Sequence, residues 1–253
     1  MLNRRSIGGF LVLAWLGYGL GGCAGSSQVH FQADERYRLA QSYIGNGSFP
    51  LAEQEVRKAL DAVPDEPRYF ELLALIHQAQ GRLQLADDAY RAALQQDDVP
   101  PSVLVNYSTL LLLRGRVDEA ISLAQKALHN PSYQRPALAY TNLGLAYFKK
   151  GTLRQAMEQL HTALEYQPDL PEAHYNLGLV YVRMHEPEKA IRAFREATRF
   201  RPTYVEAHAS LGEVLLGSGR TDEARMAFER VVALAPESDM ADASRKHLKL
   251  LPP

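Results

Sequence analysis

The sequence predicts an all-α protein, an α-solenoid of six stacked helix pairs that ends in a C-terminal capping helix. The main observation is a 34-residue recurrence of large apolar, small and proline residues between residues 33 and 238. A fixed period of this length is typical of repeat architectures. Glycines at 47, 81, 115, 151 and 219 occupy one equivalent position of the period. Residues 239–253 are rich in charged side chains, as the outer face of a terminal unit requires.

The first 22 residues have the composition of a secretory signal peptide. Arg4 and Arg5 precede an uncharged stretch that runs from Ile7 to Leu20, and two glycines follow it. A basic start, a short apolar core and small residues before a cleavage site are typical of such peptides. The apolar stretch is too short to span a bilayer, which takes about 20 residues. Cleavage after residue 22 would change the net charge from −1 to −3, because it removes two arginines and no acid.

The sequence Leu20-Gly21-Gly22-Cys23 resembles the bacterial lipobox, which implies that Cys23 is lipidated and becomes the first mature residue. Cys23 is the only cysteine, so it has no partner for a disulfide within the chain or for a cysteine metal site. The alternative is an ordinary signal peptide with an incidental cysteine. Ala24, rather than Asp, follows Cys23, which favours the outer membrane by similarity to enterobacterial sorting. Residues 23–32 are predicted to form a flexible tether, and no cofactor is expected beyond the covalent lipid.

The fifth unit, residues 171–204, shows the repeat pattern most completely. Large residues stand at its positions 4, 7, 11 and 24, small residues at 8, 20 and 27, and proline at 32: His174, Leu177, Tyr181, Phe194, Gly178, Ala190, Ala197 and Pro202. This pattern resembles the tetratricopeptide repeat (TPR), in which each unit forms two helices, A and B. The resemblance implies a right-handed α-solenoid of six TPR helix pairs with units 33–66, 67–100, 101–136, 137–170, 171–204 and 205–238, followed by a capping helix and tail at 239–253.

Each repeated position has a physical role. The large residues form an apolar stripe that joins helix A to helix B, and the small residues allow the helix axes to approach to about 8–10 Å. Glycine at position 15 suits the left-handed conformation that commonly ends a helix. The fifth unit has His185 at this position, followed by Pro187 at the start of helix B, where proline is well tolerated.

The resemblance also implies where a ligand would lie, because helix A lines the concave face in this family and positions 2, 5, 6, 9, 12 and 13 point into the groove. The predicted groove residues are Val105, Asn106, Thr109, Leu112, Thr141, Asn142, Leu145, Phe148, Lys149, Tyr175, Asn176, Leu179, Val182 and Arg183. Asn carries both a donor and an acceptor, so the row of three Asn could hold an extended peptide backbone. The alternative is that Asn is simply the commonest residue of the family at position 6.

The other groove positions are largely apolar, with Lys149 and Arg183 at the rim. An exposed apolar strip with a charged rim usually marks a protein-binding site. The sequence therefore predicts an amphipathic helix or an apolar strand as the ligand. The alternative is that the C-terminal helix or the tether folds into the groove.

Other classes of function lack support in the sequence. A net charge of −1 gives no basic excess for nucleic acid. His185-Glu186-Pro187 lacks the second histidine of a zinc-protease helix, and His174 and His208 occupy the packing position 4. We therefore expect no catalytic or metal-binding residues, no small-molecule substrate and no enzymatic activity.

Six such repeats behind a lipobox resemble the type IV pilus pilotin lipoproteins of the PilF/PilW/Tgl type. The segments that carry the resemblance are 103–107, 130–136 with Tyr133, and 142–145. It implies an outer-membrane lipoprotein on the periplasmic face that binds secretin subunits and promotes their assembly in pilus biogenesis and in twitching or gliding motility. One alternative is a periplasmic scaffold that recruits peptidoglycan enzymes or proteases, and another is the accessory subunit of an enzyme.

Overall fold

The computed structural model describes residues 22–251, and within them the chain forms thirteen helices and no strand. The predicted signal peptide lies outside these residues, apart from Gly22. The helices are α1 (Gly22–Gly45), α2 (Phe49–Ala62), α3 (Pro67–Ala79), α4 (Leu83–Leu94), α5 (Pro101–Leu113), α6 (Val117–Leu128), α7 (Pro136–Lys149), α8 (Leu153–Tyr166), α9 (Pro171–Arg183), α10 (Pro187–Phe200), α11 (Val205–Gly217), α12 (Thr221–Leu234) and α13 (Asp239–Leu250). Six consecutive pairs, α1/α2 to α11/α12, and the final helix α13 confirm the predicted fold class.

The turn within each pair follows from the residue at position 15. In the fourth pair, Gly151 has φ +78°, and its backbone N–H donates to the carbonyl of Phe148 at 3.0 Å. The next N–H, of Thr152, donates to the carbonyl of Tyr147 at 3.0 Å. These two bonds satisfy the last carbonyls of α7 and end the helix. The sequence prediction of a left-handed residue here is confirmed.

The fifth pair builds the same turn without glycine. His185 has φ +58°, and the N–H groups of His185 and Glu186 donate to the carbonyls of Val182 and Tyr181 at 3.1 and 2.9 Å. A residue with a Cβ is strained in this conformation by about 1–2 kcal/mol. The repeat geometry therefore imposes the left-handed turn even where the residue opposes it.

The segment 23–32 differs from the expected flexible tether, because it forms the first part of α1. This helix has 24 residues, whereas α3 has 13. From residue 27 to residue 32 the chain contains no glycine or proline to stop a helix, and the buried Ala33 and Ala40 anchor the rest of α1 in the first pair. Composition indicated a tether, but helix α1 propagates through the segment from its packed part.

Most buried apolar residues form two separate cores. The N-terminal core lies mainly in repeats one to three, and the C-terminal core lies in repeats four to six. A small cluster of Leu104, Val105, Ala127 and Ala139 joins them between α5, α6 and α7. The solenoid is therefore continuous, but its two halves are packed around different sets of side chains.

The last helix closes the end of the stack. The side chain of Ser238 accepts a hydrogen bond from the backbone N–H of Ala241 at 3.2 Å, which caps the start of α13. The His247 ring stacks on Phe228 of α12 with 4.8 Å between ring centroids. Helix α13 thus covers α12, as a terminal cap does.

Candidate protein-binding groove

The first helices of successive repeats form one wall of the solenoid. Alternate helices also contact each other, although less than consecutive ones do, and these contacts join α1 to α3, α3 to α5, α5 to α7 and α7 to α9, all of them first helices. Helices that approach each other in this way lie on the inner side of a curved stack. The inner wall therefore carries the groove, and α13 packs on α11 and α12 at its end rather than along it.

The predicted groove residues differ in how far they reach solvent. Val105, Leu112, Thr141 and Asn176 are buried. The half-buried residues are Asn106, Asn142, Leu145, Phe148, Tyr175 and Leu179. Thr109, Lys149, Val182 and Arg183 are exposed. The structure thus brings all fourteen to the inner helices but leaves only some of them available to a ligand.

The expectation that Val105, Leu112 and Thr141 form the groove floor is wrong. Val105 belongs to the cluster that joins the two cores, and Leu112 belongs to the N-terminal core. The Thr141 hydroxyl donates to the carbonyl of Ala137 at 2.8 Å within its own helix. The neighbouring inner helix covers these side chains, so they stabilise the wall instead of facing a ligand.

Two of the three Asn residues of the row connect neighbouring repeats, and the third, Asn176, is buried. The Asn142 amide nitrogen donates to the carbonyl of Val105 at 3.0 Å and to the Thr109 hydroxyl at 2.9 Å, both in the preceding repeat. The Asn106 amide donates to a carboxylate oxygen of Glu71 at 2.6 Å, again one repeat earlier. These amide donors already have partners within the solenoid, which weakens the hypothesis that the row holds a peptide backbone.

Glu71 is a polar contact point on the inner wall that the sequence analysis did not identify. Its carboxylate accepts hydrogen bonds from Asn106 and from the Ser102 hydroxyl at 3.2 Å. Burial raises the pKa of Glu71, and the two hydrogen bonds oppose that rise. The Glu71 carboxylate links α3 to α5, so its contribution is to hold the wall together.

The most exposed apolar side chain on the inner wall is Leu113, with 65% of its surface accessible. Leu75 and Val182 are 38% and 40% exposed. Together with the half-buried Leu145, Phe148 and Leu179, these three residues form what we call the apolar strip. Sequence analysis missed Leu75 and Leu113, although they occupy positions 9 and 13, which the repeat pattern assigns to the groove.

Two cations lie beside the apolar strip. The Arg183 guanidinium carbon lies 5.5 Å from the centroid of the Phe148 ring, a cation–π contact between repeats five and four. Lys149, next to Phe148 in sequence, is exposed. Apolar side chains beside exposed cations favour a segment that carries both apolar and acidic residues.

Two further observations concern metal binding and membrane crossing in the part of the chain that the structure describes. Within residues 22–251, no group of three or more His, Cys, Asp or Glu side chains is arranged to hold a metal ion. None of the helices in that range is both long enough and apolar enough to cross a membrane.

Comparisons with known proteins agree with this geometry. A tetratricopeptide repeat family model matches residues 37–101, 72–137 and 175–239, and a TPR repeat model matches residues 144–184. The chain is 29% identical over 138 residues to the type IV pilus assembly protein PilF of Pseudomonas aeruginosa. That match covers 54% of this chain and 55% of PilF, so the chain spans about half of this relative's length.

Two solved structures share the fold. PilW, described as a widely conserved type IV pilus biogenesis factor, superposes with a TM-score of 0.73 at 22% identity, over 83% of this chain and 97% of PilW. Pseudomonas aeruginosa PilF superposes with a TM-score of 0.70 at 22% identity, over 88% of this chain and 99% of PilF. Because the repeat model matches well over half of its length, the chain belongs to the tetratricopeptide repeat family.

Proposed function

We propose that this chain is an outer-membrane lipoprotein of type IV pilus biogenesis whose groove binds secretin subunits and promotes their assembly. The observation that carries the proposal is the apolar strip, with Leu113 at its most exposed point. Apolar side chains that share one surface usually mark a protein-binding site. The sequence match to PilF and the shared fold with PilW support a role in pilus biogenesis.

A lipid on Cys23 would place the groove where an outer-membrane protein has to assemble. Each buried acyl methylene contributes about 0.8 kcal/mol, and stable anchoring takes more than one chain. Confinement to the membrane surface raises the effective concentration of the groove for a partner at the same surface. In this proposal the protein supplies binding and localisation, while the chemistry of assembly belongs to the secretin.

The groove is tested by capture of the secretin from detergent extracts. Leu75→Glu combined with Leu113→Glu places two carboxylates in the apolar strip, and both side chains are exposed, so the fold tolerates the change. We expect at least a tenfold loss of captured secretin with unchanged helicity by circular dichroism. Leu145 and Leu179 are poorer test positions, because each packs against a core.

The matched control is Met226→Glu, which changes a 69% exposed apolar residue on the second helix α12. It is expected to capture as much secretin as the wild type. Equal capture by the Leu75/Leu113 variant, or absence of secretin from the wild-type sample, would contradict the proposal. Recovery of a peptidoglycan hydrolase or protease instead would favour the scaffold alternative.

The anchor is tested separately by Cys23→Ala. We expect this variant to leave the outer-membrane fraction and to appear in the soluble periplasmic fraction, because it has no thiol to lipidate. Labelling with a radioactive or alkyne-tagged fatty acid measures lipidation directly. Persistence of the variant in the membrane fraction would show that something other than a lipid holds the protein there.

A further inference from the structure

A pocket opens at the C-terminal end of the apolar strip, between repeats five and six. It has a volume of about 650 Å³ and is bounded by α9, the start of α10 and α11. Val182 lines the pocket and also belongs to the apolar strip. A segment that lies along the strip would therefore reach the pocket without leaving the inner wall.

Repeat six differs from repeat five at two positions that line this pocket. Gly217 occupies position 13, where repeats four and five carry Lys149 and Arg183. Apart from its chain neighbours and the backbone of its own helix, no heavy atom lies within 4 Å of the place where a Cβ on Gly217 would be. Glu213 occupies position 9, where repeat five has Leu179. At this end the groove therefore has no side chain at position 13 and a carboxylate at position 9.

The pocket combines apolar walls with carboxylates. Val182, Pro187 and Val214 provide the walls, and Glu188 and Glu213 provide the charge. A lysine or arginine side chain complements this lining, because its stem is apolar and its head carries a positive charge. The pocket therefore matches a long basic side chain better than an apolar or acidic one.

Neighbouring cations compensate only part of this negative charge. Arg220 lies 3.5 Å from a Glu188 oxygen, but it also pairs with Glu223 at 2.6 Å. The Arg183 guanidinium lies over Phe148 of repeat four. Glu213 is exposed on α11. The groove is consequently polarised, cationic beside repeats four and five and anionic between repeats five and six.

We infer that this pocket binds a lysine or arginine side chain of the segment that occupies the groove, and that it thereby sets the direction of that segment. The acidic part of the segment lies at Lys149 and Arg183, its apolar residues lie on the apolar strip, and its basic residue enters the pocket. The identity of the guest as a secretin segment rests on the proposed function, whereas the preference of the pocket for a basic side chain does not.

The pocket is tested with N-acetyl-arginine amide as the probe, titrated into the detergent-solubilised full chain and followed by amide chemical shifts. We expect saturable shifts at Gly217 and Ser218 with millimolar affinity. N-acetyl-norleucine amide, which has an apolar stem but no charge, should leave these amides unshifted. Glu213→Gln should weaken arginine binding at least fivefold, and Gly217→Leu, which fills the pocket, should abolish it.

Equal shifts from the norleucine probe, or unchanged arginine binding by Glu213→Gln, would overturn the inference. A second experiment measures secretin capture by Glu213→Lys, which we expect to fall about tenfold, against the control Glu229→Lys on the exposed side of α12. If the wild type captures secretin and Glu213→Lys captures the same amount, the role of the pocket is overturned while the proposed function stands. Failure of the wild type to capture secretin overturns the proposed function, while the arginine titration still decides the pocket.

Discussion

Repeats one to three and repeats four to six share one architecture but bury different chemistry between their helices. In repeats four to six, position 8 is glycine, and a large side chain of the second helix fills the space above it. A Cβ at Gly178 would lie 2.5 Å from the Phe194 ring, and one at Gly144 would lie 2.5 Å from the Leu160 side chain. This half is held by close apolar packing.

Repeats one to three also have an apolar core, but they bury charged groups in addition. Asp87 is only 1% exposed, and its carboxylate contacts the guanidinium groups of Arg91, Arg114 and Arg116 at 3.0, 3.1 and 2.7 Å. The Tyr107 hydroxyl donates to it at 3.0 Å. Arg114, Arg116 and Tyr107 belong to repeat three, whereas Asp87 belongs to repeat two, so one carboxylate joins two repeats.

The difference shows where each half is sensitive to mutation. Apolar packing depends on volume, so the C-terminal half should be damaged by added atoms. A buried ion pair needs both of its members. When one member is removed, the remaining buried charge destabilises the fold by more than the intact pair stabilised it. The N-terminal half should therefore be damaged by lost charge.

The largest expected effect is that of Asp87→Ala. It leaves Arg114 and Arg116 without their buried partner, and the expected loss in free energy of unfolding is about 3–5 kcal/mol. Urea denaturation measures the loss. Hydrogen exchange locates it, with faster exchange expected in α3–α6 than in α9–α12, because a solenoid repeat interacts mainly with its neighbours.

The matched control is Asp88→Ala, which removes the adjacent exposed carboxylate and should change stability by less than about 0.5 kcal/mol. If Asp87→Ala were as mild as this control, the N-terminal half would not depend on its buried charge and the contrast between the halves would fail.

The next effect is in the C-terminal half. Gly178→Ala forces a methyl group against the buried Phe194 ring, and overpacking of this kind costs about 1–3 kcal/mol. Gly217→Ala is the control, because its methyl group meets no atom within 4 Å and alanine favours a helix. Thermal denaturation should show a Tm below that of the wild type for Gly178→Ala and no such decrease for Gly217→Ala. Equal Tm values for the two variants would contradict the packing argument.

Burial lowers the pKa of two histidines, His77 in the N-terminal half and His208 in repeat six, and the His77 contribution to the pH dependence of stability can be tested by itself. His77 is 2% exposed and its Nδ1 atom has no hydrogen-bond partner. Burial lowers the pKa of His77, with the Arg82 charge in the same direction and Glu53 opposing it. As the pH falls through about 6.5, the usual pKa of histidine, the unfolded chain binds a proton that the folded protein resists, so stability decreases.

Urea denaturation at pH 7.5 and pH 5.5 measures this dependence. The free energy of unfolding should fall less with pH in His77→Leu than in the wild type, because the substitution removes the titrating group. Parallel pH dependences in the two proteins would show that other groups cause the decrease.

The smallest expected effect concerns the turn at His185. Relief of left-handed strain is worth about 1–2 kcal/mol, and the greater freedom of glycine in the unfolded chain offsets about 0.5–1 kcal/mol of it. His185→Gly should therefore stabilise the protein by roughly 0.5 kcal/mol. Gly219→Ala, at the equivalent turn with φ +73°, should destabilise it, and urea denaturation of both variants checks the two signs.

Much of the architecture could be predicted because it follows from local chemistry. The turn after each first helix requires a left-handed backbone conformation at position 15, whatever packs around it. The five glycines at this position therefore indicated the turns correctly. The Asn142 side chain could not be placed in the same way. Its position in the repeat was clear, but its partners Val105 and Thr109 lie in the preceding repeat, and their distance depends on how closely α5 and α7 pack.

The sequence alone determined the number of helix pairs, the turns between them and the order in which they stack, because these depend on residues close together in the chain. Only the tertiary structure decided which inner-wall side chains reach solvent. Leu112 and Leu113 are neighbours in the same helix, yet one is buried and the other is the most exposed apolar residue of the groove. The approach of the adjacent helices makes that difference, and a repeat pattern does not encode it.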